Sequence, residues 1–310
     1  MKVLVTGGAG FIGSHVSDVF LDAGHQVWAL DDLSSGRREN LRPEVRLVVA
    51  DIRSPEAARL VEAERFEVIC HLAAQMDIRR SVTDPRFDAD VNVGGFLNLL
   101  EAARKSGVRK VVFSSTGGAI YGDQDVYPAP ETHPTRPVSP YGASKAAGEL
   151  YLGYYRAQYG LASVALRYAN VYGPRQNPHG EAGVVAIFSE RLLGGETCTI
   201  FGTGQQTRDF VFGGDVARAN LLAAERDVQG PINIGTGVET DVNRLYQLTA
   251  KAAGTERPAQ HAPAKPGEQM RSSVDASRAA AVLGWKPSVQ LEEGLRRTVA
   301  WFKERSPRSA

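Results

Sequence analysis

The stretch Lys2-Val-Leu-Val-Thr-Gly-Gly-Ala-Gly-Phe-Ile-Gly13 decides the fold of this chain. Residues 2–6 form an apolar, β-branched run typical of a buried parallel strand, and a helical pattern runs from residue 11 to about residue 23. Between them, Gly7, Gly10 and Gly13 let the backbone turn tightly, and the unpaired N–H groups of the helix N-terminus attract a phosphate. The order strand, glycine turn, helix therefore predicts a dinucleotide cradle, although its spacing is G-x-x-G-x-x-G and not G-x-G-x-x-G.

The next strand supports this interpretation. Residues 26–30 read as a second strand that ends at Asp31 and Asp32. A carboxylate about 20 residues past the glycines accepts hydrogen bonds from a ribose 2′-hydroxyl and repels a 2′-phosphate, so the sequence favours NAD over NADP. Arg37 and Arg38 offer a 2′-phosphate site as the alternative, but solvated loop cations are an equally good reading of them.

The rest of the first half alternates between strands and helices. We expect strands near 2–6, 26–31, 45–50, 67–71, 110–114 and 162–167, with helices near 11–23, 54–62, 88–106 and 141–160. Such alternation predicts an α/β fold with a doubly wound parallel (Rossmann) sheet, which binds ligands at the carboxyl ends of its strands. Polar or glycine motifs follow five of these strands: Gly7 to Gly13, Asp31, Asp51-Ile52, Leu72-Ala73-Ala74 and Ser114-Ser-Thr116.

Past residue 167 the pattern loosens into turns, short strands and separate helices. We expect residues 1–167 to form the NAD-binding domain, with 211–238 returning to its sheet. Residues 168–210 and 239–310 would then form a smaller, discontinuous substrate domain, because a chain of 310 residues exceeds the usual size of one core.

Composition excludes several classes of protein. A formal net charge of +1 gives no electrostatic footprint for nucleic acid or an anionic membrane, and no apolar run of 20 residues appears. The first residues enter a strand without the pattern of a signal peptide, and Cys70 and Cys198 are too few for a disulfide framework, so we expect a cytoplasmic protein. Cys70 and His71 read as core residues, and we find no metal cluster.

Tyr141 and Lys145, in Ser139-Pro-Tyr-Gly-Ala-Ser-Lys145, stand four residues apart at the head of a predicted helix and so share one face. A cation close to a phenol favours the phenolate, which would let Tyr141 move protons at neutral pH. A Tyr and a Lys at this spacing are common on exposed helices, and only the cradle and the other strand-end motifs make the catalytic reading the better one.

These motifs together resemble the extended short-chain dehydrogenases that act on nucleotide sugars, a family of NAD-dependent epimerases and dehydratases. The resemblance spans residues 2 to about 304 and is strongest to the UDP-glucose 4-epimerases. It rests on TGGAGFIG, Asp31-Asp32, Asp51-Ile52, HLAA at 71–74, SST at 114–116, IYG at 120–122, SPYGASK at 139–145, RYANVYGPR at 167–175 and RDFVF at 208–212.

The resemblance implies a role for each matching residue. Tyr141 would be the catalytic base, Lys145 would hold the nicotinamide ribose and lower the tyrosine pKa, and Thr116 would bond the reacting hydroxyl. The interval from Thr116 to Tyr121 is one residue longer than in many epimerases, so Ser115 is the alternative to Thr116. The NAD-binding set is Gly7, Gly10, Phe11, Ile12, Gly13, Asp31, Asp32, Asp51, Ile52, Leu72, Ala73, Ala74, Tyr141 and Lys145. The substrate set is Thr116 with Asn170, Arg208 and Arg271 on the diphosphate and Val184, Val185 and Phe201 near the base.

The implied activity is NAD-dependent 4-epimerisation of UDP-glucose and UDP-galactose through a transient 4-keto sugar. Related dehydratases carry an Asp-Glu pair after the Thr, where this chain has Gly117-Gly118, and the related decarboxylases carry a Glu that is missing here. Epimerisation of UDP-N-acetylglucosamine or UDP-glucuronate stays open as the alternative. A non-catalytic NAD-binding sensor is disfavoured because the chain keeps Tyr141 and Lys145.

The resemblance also implies a homodimer formed by the helices near 88–106 and 141–160. Phe96, Leu100, Leu150 and Tyr154 are candidates for the outward faces of these helices, with packing inside the chain as the alternative. Ser272 aligns with a bulky Tyr of narrowly specific epimerases, so we expect room there for a 2-acetamido group.

Overall fold

The computed structural model describes residues 1–179, 183–264, 267 and 269–305. Its strands are β1 (Lys2–Thr6), β2 (Gln26–Asp31), β3 (Arg46–Val49), β4 (Val68–His71), β5 (Lys110–Thr116), β6 (Ala162–Tyr168), β7 (Asn170–Tyr172), β8 (Thr199–Phe201), β9 (Thr207–Phe212), β10 (Gly230–Ile234), β11 (Glu239–Asp241) and β12 (Gln260–Ala262). Its α-helices are α1 (Phe11–Asp22), α2 (Pro55–Glu64), α3 (Ile78–Thr83), α4 (Pro85–Ala89), α5 (Phe96–Ser106), α6 (Pro140–Tyr159), α7 (Val184–Leu193), α8 (Gly213–Glu225), α9 (Val242–Ala253), α10 (Ser277–Leu283) and α11 (Leu291–Arg305). A 3₁₀ turn spans Arg38–Asn40, and a π-helical turn, Asp90–Gly95, joins α4 to α5.

Seven parallel strands form the main sheet in the order β3-β2-β1-β4-β5-β6-β10. The chain builds outward from β1 to β3 and then crosses over to β4, so the strand order reverses between β1 and β4. In sheets of this kind the crevice beside that reversal is where a ligand binds. The doubly wound parallel sheet expected from the sequence is therefore confirmed.

The alternation of side chains along each strand divides the core between the two faces of this sheet. Val3 and Val5 lie in one cluster with Phe20 of α1 and the alanines of α8, whereas Leu4 lies in the opposite cluster with Phe96 of α5. The two clusters cover both faces, so the polar strand ends remain at the carboxyl edge of the sheet.

The smaller C-terminal part rests on a three-stranded sheet, β11-β9-β7, and a two-stranded one, β12-β8. Helices α7, α9 and α11 pack together there, and Tyr172, Phe210 and Phe212 share a buried cluster with Leu245 and Leu295. Among the described residues, no helix has both the length and the apolar character needed to cross a membrane.

The structure differs from the sequence expectation in three places. Strand β7 lies where the residues after 167 indicate turns, because three residues are too few to show a strand period. The helix expected near 88–106 begins earlier, at Pro85, where Asp84 caps it, and the short helix α3 precedes it. Phe96 and Leu100 are each 1% exposed and belong to the core of this chain, so they are wrong as candidates for an outward face.

Candidate active site

The glycine turn has the close approaches that the cradle requires. Gly7 has φ +66°, and a Cβ placed on Gly13 would lie only 2.0 Å from the Gly7 carbonyl oxygen. No side chain caps helix α1 at Gly10. The turn is therefore closed to larger residues and leaves the first N–H groups of the helix facing the loop. Phe11 and Ile12 form the first turn of α1 and are half-buried.

The acidic end of β2 is tied directly to this turn. Asp31 is 7% exposed, and its carboxylate accepts hydrogen bonds from the backbone N–H of Ala9, at 3.0 Å, and of Leu33, at 2.9 Å. Burial raises the pKa of Asp31, and the backbone donors oppose this. Asp32 is exposed and accepts hydrogen bonds from Ser34. Asp31 thus lies against the glycine turn, and Asp32 lies farther out.

The end of β3 carries an ion-pair chain. Arg53 donates to both oxygens of Asp51 and, at 2.7 Å, to Asp90, and this pairing lowers the pKa of Asp51. Ile52 is buried, and its Cδ1 atom would lie 2.7 Å from a Cβ on Gly95 in the π-helical turn. Asp51 is therefore held by Arg53, and Ile52 packs against the π-helical turn.

The residues that follow β4 lie against the glycine turn. The Thr6 hydroxyl accepts hydrogen bonds at 3.2 Å from the N–H groups of Leu72 and Ala73. A Cβ on Gly7 would lie 2.7 Å from the Ala73 nitrogen. Residues 72–74 therefore follow the strand next to β1 in direct contact with the glycine turn.

Cys70 and His71, just before this segment, lie in the core. Burial raises the pKa of the Cys70 thiol, and burial together with the Lys145 charge lowers the pKa of His71 well below its usual value. The His71 ring stacks on Phe96 with centroids 4.5 Å apart. In the part of the chain that the structure describes, no group of three or more His, Cys, Asp or Glu side chains could hold a metal ion.

Helix α6 presents Tyr141 and Lys145 at its start. The Ser139 hydroxyl accepts a hydrogen bond from the N–H of Gly142 at 3.1 Å, and a proline occupies the first helical position. Both features fix where the helix begins. Because Lys145 follows Tyr141 by four residues, the two side chains emerge on one face directed at the carboxyl end of β5.

The charges around this pair differ from the sequence expectation. Lys145 is 3% exposed, and its ammonium donates to the Ser114 carbonyl at 2.8 Å and lies 4.9 Å from the centre of the Phe113 ring. Burial lowers the pKa of Lys145 to about 8, and the Asp88 carboxylate opposes this. Burial, followed by the charge of Asp88, raises the pKa of Tyr141. Both effects act against the lowering of the Tyr141 pKa that the Tyr–Lys spacing predicts.

Thr116 and Ser115 face different surroundings. The Ser115 hydroxyl donates to a Glu149 carboxylate oxygen at 2.6 Å and is buried. The Thr116 hydroxyl accepts from the N–H of Ala119 at 3.1 Å and keeps its proton available as a donor. Of the two candidates, Thr116 is therefore the one that is not engaged with helix α6.

A buried ion pair behind these residues joins helix α6 to the sheet. Arg167, at the end of β6, donates to both oxygens of Glu149, at 2.9 and 2.6 Å, and to the Tyr121 hydroxyl at 3.0 Å. Tyr121 in turn donates to Asn233 of β10 at 2.7 Å. Sequence reasoning missed Glu149, although its position four residues past Lys145 places it on the same helix face.

Asn170 and Arg208 lie on neighbouring strands of the three-stranded sheet, where Asn170 of β7 pairs with Phe210 of β9. The Asn170 side-chain oxygen lies 3.9 Å from where a Cβ on Gly118 would be, so it lies beside the end of β5. Arg208 is half-buried on β9, and its guanidinium donates to the Thr207 carbonyl.

Arg271 already has an anionic partner in this structure. Its guanidinium bonds both oxygens of Glu239, at 3.1 and 2.6 Å, and lies 3.9 Å from the centre of the Tyr127 ring. The pairing lowers the pKa of Glu239, which also accepts from the Thr207 hydroxyl at 2.8 Å. Arg271 is thereby held next to the strand that carries Arg208, a position that the sequence did not reveal.

The remaining residues of the expected substrate set are apolar. Val185 is 1% exposed in the cluster with Tyr172, whereas Val184, at the start of α7, is half-buried. Phe201, at the end of β8, is 39% exposed. Val185 is therefore a core residue of the smaller part, and Val184 and Phe201 offer surface.

Comparison with known proteins agrees with this geometry. Residues 3–235 match the model of the NAD dependent epimerase/dehydratase family. The UDP-glucose 4-epimerase of Mycolicibacterium smegmatis is 50% identical over 312 residues, which cover 99% of this chain and 100% of that protein. The UDP-glucose 4-epimerase of Thermotoga maritima, solved with UDP-glucose, is 48% identical with a TM-score of 0.95 and covers 98% of this chain and 99% of its own.

A second solved structure, the UDP-glucose 4-epimerase of Thermus thermophilus in complex with NAD, is 47% identical with a TM-score of 0.94, covering 99% of this chain and 100% of its own. Both the family model and these full-length similarities include the glycine turn, the Tyr–Lys helix and the strand-end motifs. The chain belongs to the NAD dependent epimerase/dehydratase family.

Proposed function

We propose that this protein is a UDP-glucose 4-epimerase, which interconverts UDP-glucose and UDP-galactose with NAD as its cofactor. The observation that carries this proposal is the position of Tyr141 and Lys145, on helix α6, beside the end of β5, where Thr116 lies, on the same carboxyl edge of the sheet as the glycine turn. Full-length relatives with this activity, at 47–50% identity, support it.

The residues of the cradle fit NAD. A Cβ on Gly13 would clash with the Gly7 carbonyl, so the turn keeps this shape only with glycine there, and such a turn at a helix N-terminus suits a pyrophosphate. Asp31 keeps lone pairs beyond those used by two backbone donors and can accept from a ribose hydroxyl. Asp51 and residues 72–74 would line the ends of the cofactor site, and Lys145 would bond the nicotinamide ribose.

Tyr141 would exchange a proton with the sugar 4-hydroxyl, and Thr116 would hydrogen-bond to that oxygen. When bound, the oxidised nicotinamide supplies a hydride acceptor and a positive charge, and its reduced form a hydride donor, so carbon 4 passes through a ketone. In its ionised form Tyr141 would take the hydroxyl proton and later return it to the same oxygen, which the Thr116 hydroxyl would orient. Because burial raises the pKa of Tyr141, its ionisation depends on positive charge beside it.

The diphosphate would be held by Asn170, Arg208 and Arg271, with the base near Val184, Val185 and Phe201. Charge-assisted bonds from two guanidinium groups hold the diphosphate while the sugar rotates to present its other face. Since Arg271 pairs with Glu239 in this structure, the diphosphate has to share or displace that carboxylate.

The site does not fit 4,6-dehydration. Dehydratases need an acid and a base after the Thr, where this chain has Gly117 and Gly118. A Cβ on Gly117 would lie 2.6 Å from a Val274 methyl group and 3.3 Å from the Tyr168 carbonyl, so a carboxylate at this position would require the packing around Val274 to shift. Proton transfer at carbons 5 and 6 therefore lacks its residues.

We further propose that the protein is a cytoplasmic homodimer. We also propose that each chain has two domains, an NAD-binding domain of residues 1–167 with 211–238 and a substrate domain of residues 168–210 with 239–310. Helix α6 supports the dimer, because Leu150 and Tyr154 are 77% and 50% exposed on one side of it. A pair of large apolar side chains on an outer helix face is typical of an interface.

The test is a coupled assay of purified protein with UDP-galactose, in which released UDP-glucose is oxidised by a dehydrogenase. We expect activity without added reductant, and extracted cofactor that is NAD. Tyr141→Phe should lower the rate by ~10²–10⁴-fold while NAD stays bound, because the general base is lost. Retention of half the wild-type rate by this variant would refute the role of Tyr141 as the general base. A wild type that is inactive on every UDP-hexose would refute the proposed function and favour an NAD-binding sensor.

A further inference from the structure

A buried carboxylate that the reaction above does not use lies beside the Tyr–Lys pair. Asp88, in the short helix α4, has no exposed surface. Its Oδ1 atom accepts a hydrogen bond at 2.7 Å from the hydroxyl of Ser144, which stands between Tyr141 and Lys145 on helix α6. Its Oδ2 atom accepts from the side-chain amides of Asn92, at 3.1 Å, and Gln75, at 3.2 Å.

The three side chains that bond Asp88 all act as donors to it. The Asn92 oxygen accepts from the N–H of Gln75 at 2.8 Å, and the Gln75 oxygen accepts from the N–H of Asp77 at 2.8 Å. Both amides are therefore oriented by the backbone with their NH₂ groups towards Asp88. An asparagine at position 88 could accept from both amides only with its own NH₂ group towards Ser144, whose hydroxyl would then accept and no longer donate.

The charged groups around Asp88 are few. On helix α6 they are Tyr141 and Lys145, both of which respond to its charge. On α3, Arg79 and Arg80 are exposed, as are Arg86 on its own helix and Asp90 in the π-helical turn. His71 lies beside Lys145 and is held neutral by burial. Lys145 is thus the buried cation on the side of Asp88 that faces the site.

We propose that Asp88 is a positioning residue that fixes the first turns of helix α6 through Ser144 and supplies the buried negative charge that balances the Lys145 ammonium. This inference rests on the proposed function, since it assigns Asp88 to the same proton-transfer site. Asp88 acts through Lys145 and Tyr141 and does not itself exchange a proton with the sugar.

The charge has opposite consequences for the two partners. A nearby anion raises the pKa of both Lys145 and Tyr141, because it favours the ammonium and disfavours the phenolate. Activity needs a tyrosine able to lose its proton, which sets the acidic limb of the pH profile, and a charged lysine, which sets the alkaline limb. Removing the anion therefore moves both limbs to lower pH, and the apparent values belong to the coupled pair.

The first experiment measures kcat/KM for UDP-galactose against pH in the wild type, Asp88→Asn, Ser144→Ala and Asp215→Asn. Asp215 is a matched control, because it is also a buried carboxylate bonded by a serine hydroxyl and two backbone N–H groups, but lies at the start of α8. We expect Asp88→Asn alone to displace both limbs by about 1 pH unit. Ser144→Ala should lower the rate and leave both limbs in place. The same result for Asp88→Asn, a lower rate with unmoved limbs, would overturn the proposal.

The second experiment is independent of epimerase activity. In holoenzyme labelled with ¹³C at the lysine ε-carbons, the titration of Lys145 is followed by NMR and assigned with Lys145→Arg. Lys110 is the internal control: it is 2% exposed, donates to the Arg226 carbonyl and also has its pKa lowered by burial to about 8, but lies at the opposite end of β5.

Asp88→Asn should lower the midpoint of Lys145 by about 1 pH unit and leave that of Lys110 unchanged. An unchanged Lys145 midpoint refutes the role of Asp88 even if the wild type epimerises UDP-hexoses. An inactive wild type refutes the proposed function alone. Should Asp88→Asn not fold, as judged by circular dichroism, Asp88→Ser is titrated in its place, since a smaller hydroxyl removes the charge without opposing two NH₂ groups.

Discussion

Replacing Glu149 by Gln removes the counter-charge of Arg167 while nearly conserving shape. The Arg167 and Glu149 side chains are 5% and 14% exposed, so solvent does not replace the lost charge. Breaking a buried pair on one side costs about 3–5 kcal/mol. For a chain of this size we expect the midpoint of thermal unfolding to fall by roughly 5–8 °C.

The same substitution should reach the active site. Ser115, which donates to Glu149, directly precedes Thr116, and Glu149 lies one helical turn past Lys145. Loss of the pair therefore loosens helix α6 against the end of β5. We expect kcat to fall by about 10-fold or more, because small displacements of positioned groups are costly, with KM for UDP-galactose little changed, since the diphosphate contacts lie elsewhere.

Differential scanning calorimetry and the coupled assay measure both effects. The control is the double variant Glu149→Leu, Arg167→Met, which leaves no unpaired charge buried and should unfold at a higher temperature than Glu149→Gln. A loss of under about 1 kcal/mol in Glu149→Gln, or a double variant less stable than the single one, would show that the buried charge does not dominate.

Three further predictions concern the cofactor, the sugar and the assembly. Asp31→Asn should release NAD at least about 10-fold more readily, because an NH₂ group then faces the N–H of Ala9 or Leu33 at a cost of about 1–3 kcal/mol. Equilibrium dialysis measures the affinity for NAD, and the finding of NADP as the cofactor extracted from the wild type would contradict this prediction. Ser272, 3% exposed, should admit UDP-N-acetylglucosamine, and Ser272→Tyr should lower its kcat/KM relative to UDP-glucose, so an unchanged ratio would exclude Ser272 as the size filter. Sedimentation at micromolar concentration should give a dimer that Leu150→Glu dissociates; a monomeric wild type would refute the interface.

The sequence predicted the central fold because its signals are local. The glycine turn, the apolar strands and the cap at Ser139 each act within a few residues, and the structure places strands and helices there. Strand β7 was missed because its three residues are held by pairing with β9 and not by their own pattern. Leu150 and Tyr154 were distinguishable from Phe96 and Leu100 only once the packing of the helices was known.

The environment of the site could not be predicted for the same physical reason. The raised pKa of Tyr141 depends on desolvation and on Asp88, which stands far earlier in the chain, and the pairing of Arg271 with Glu239 joins segments that are distant in sequence. Spacing identifies which groups share a helix face, but burial and distant charges decide how those groups ionise.

The position of β10 at the edge of the main sheet also governs how the protein can be made. Strand β10 pairs with β6 only after residue 234 has left the ribosome, and helix α8, which covers α1, is synthesised just before it. Until then the nascent chain exposes the edge of β6 and the apolar face of α1, and surfaces of both kinds are prone to aggregation. A fragment that stops short of β10 should therefore bind chaperones, whereas one that includes it buries Ile232 and Ile234 and covers the edge of β6.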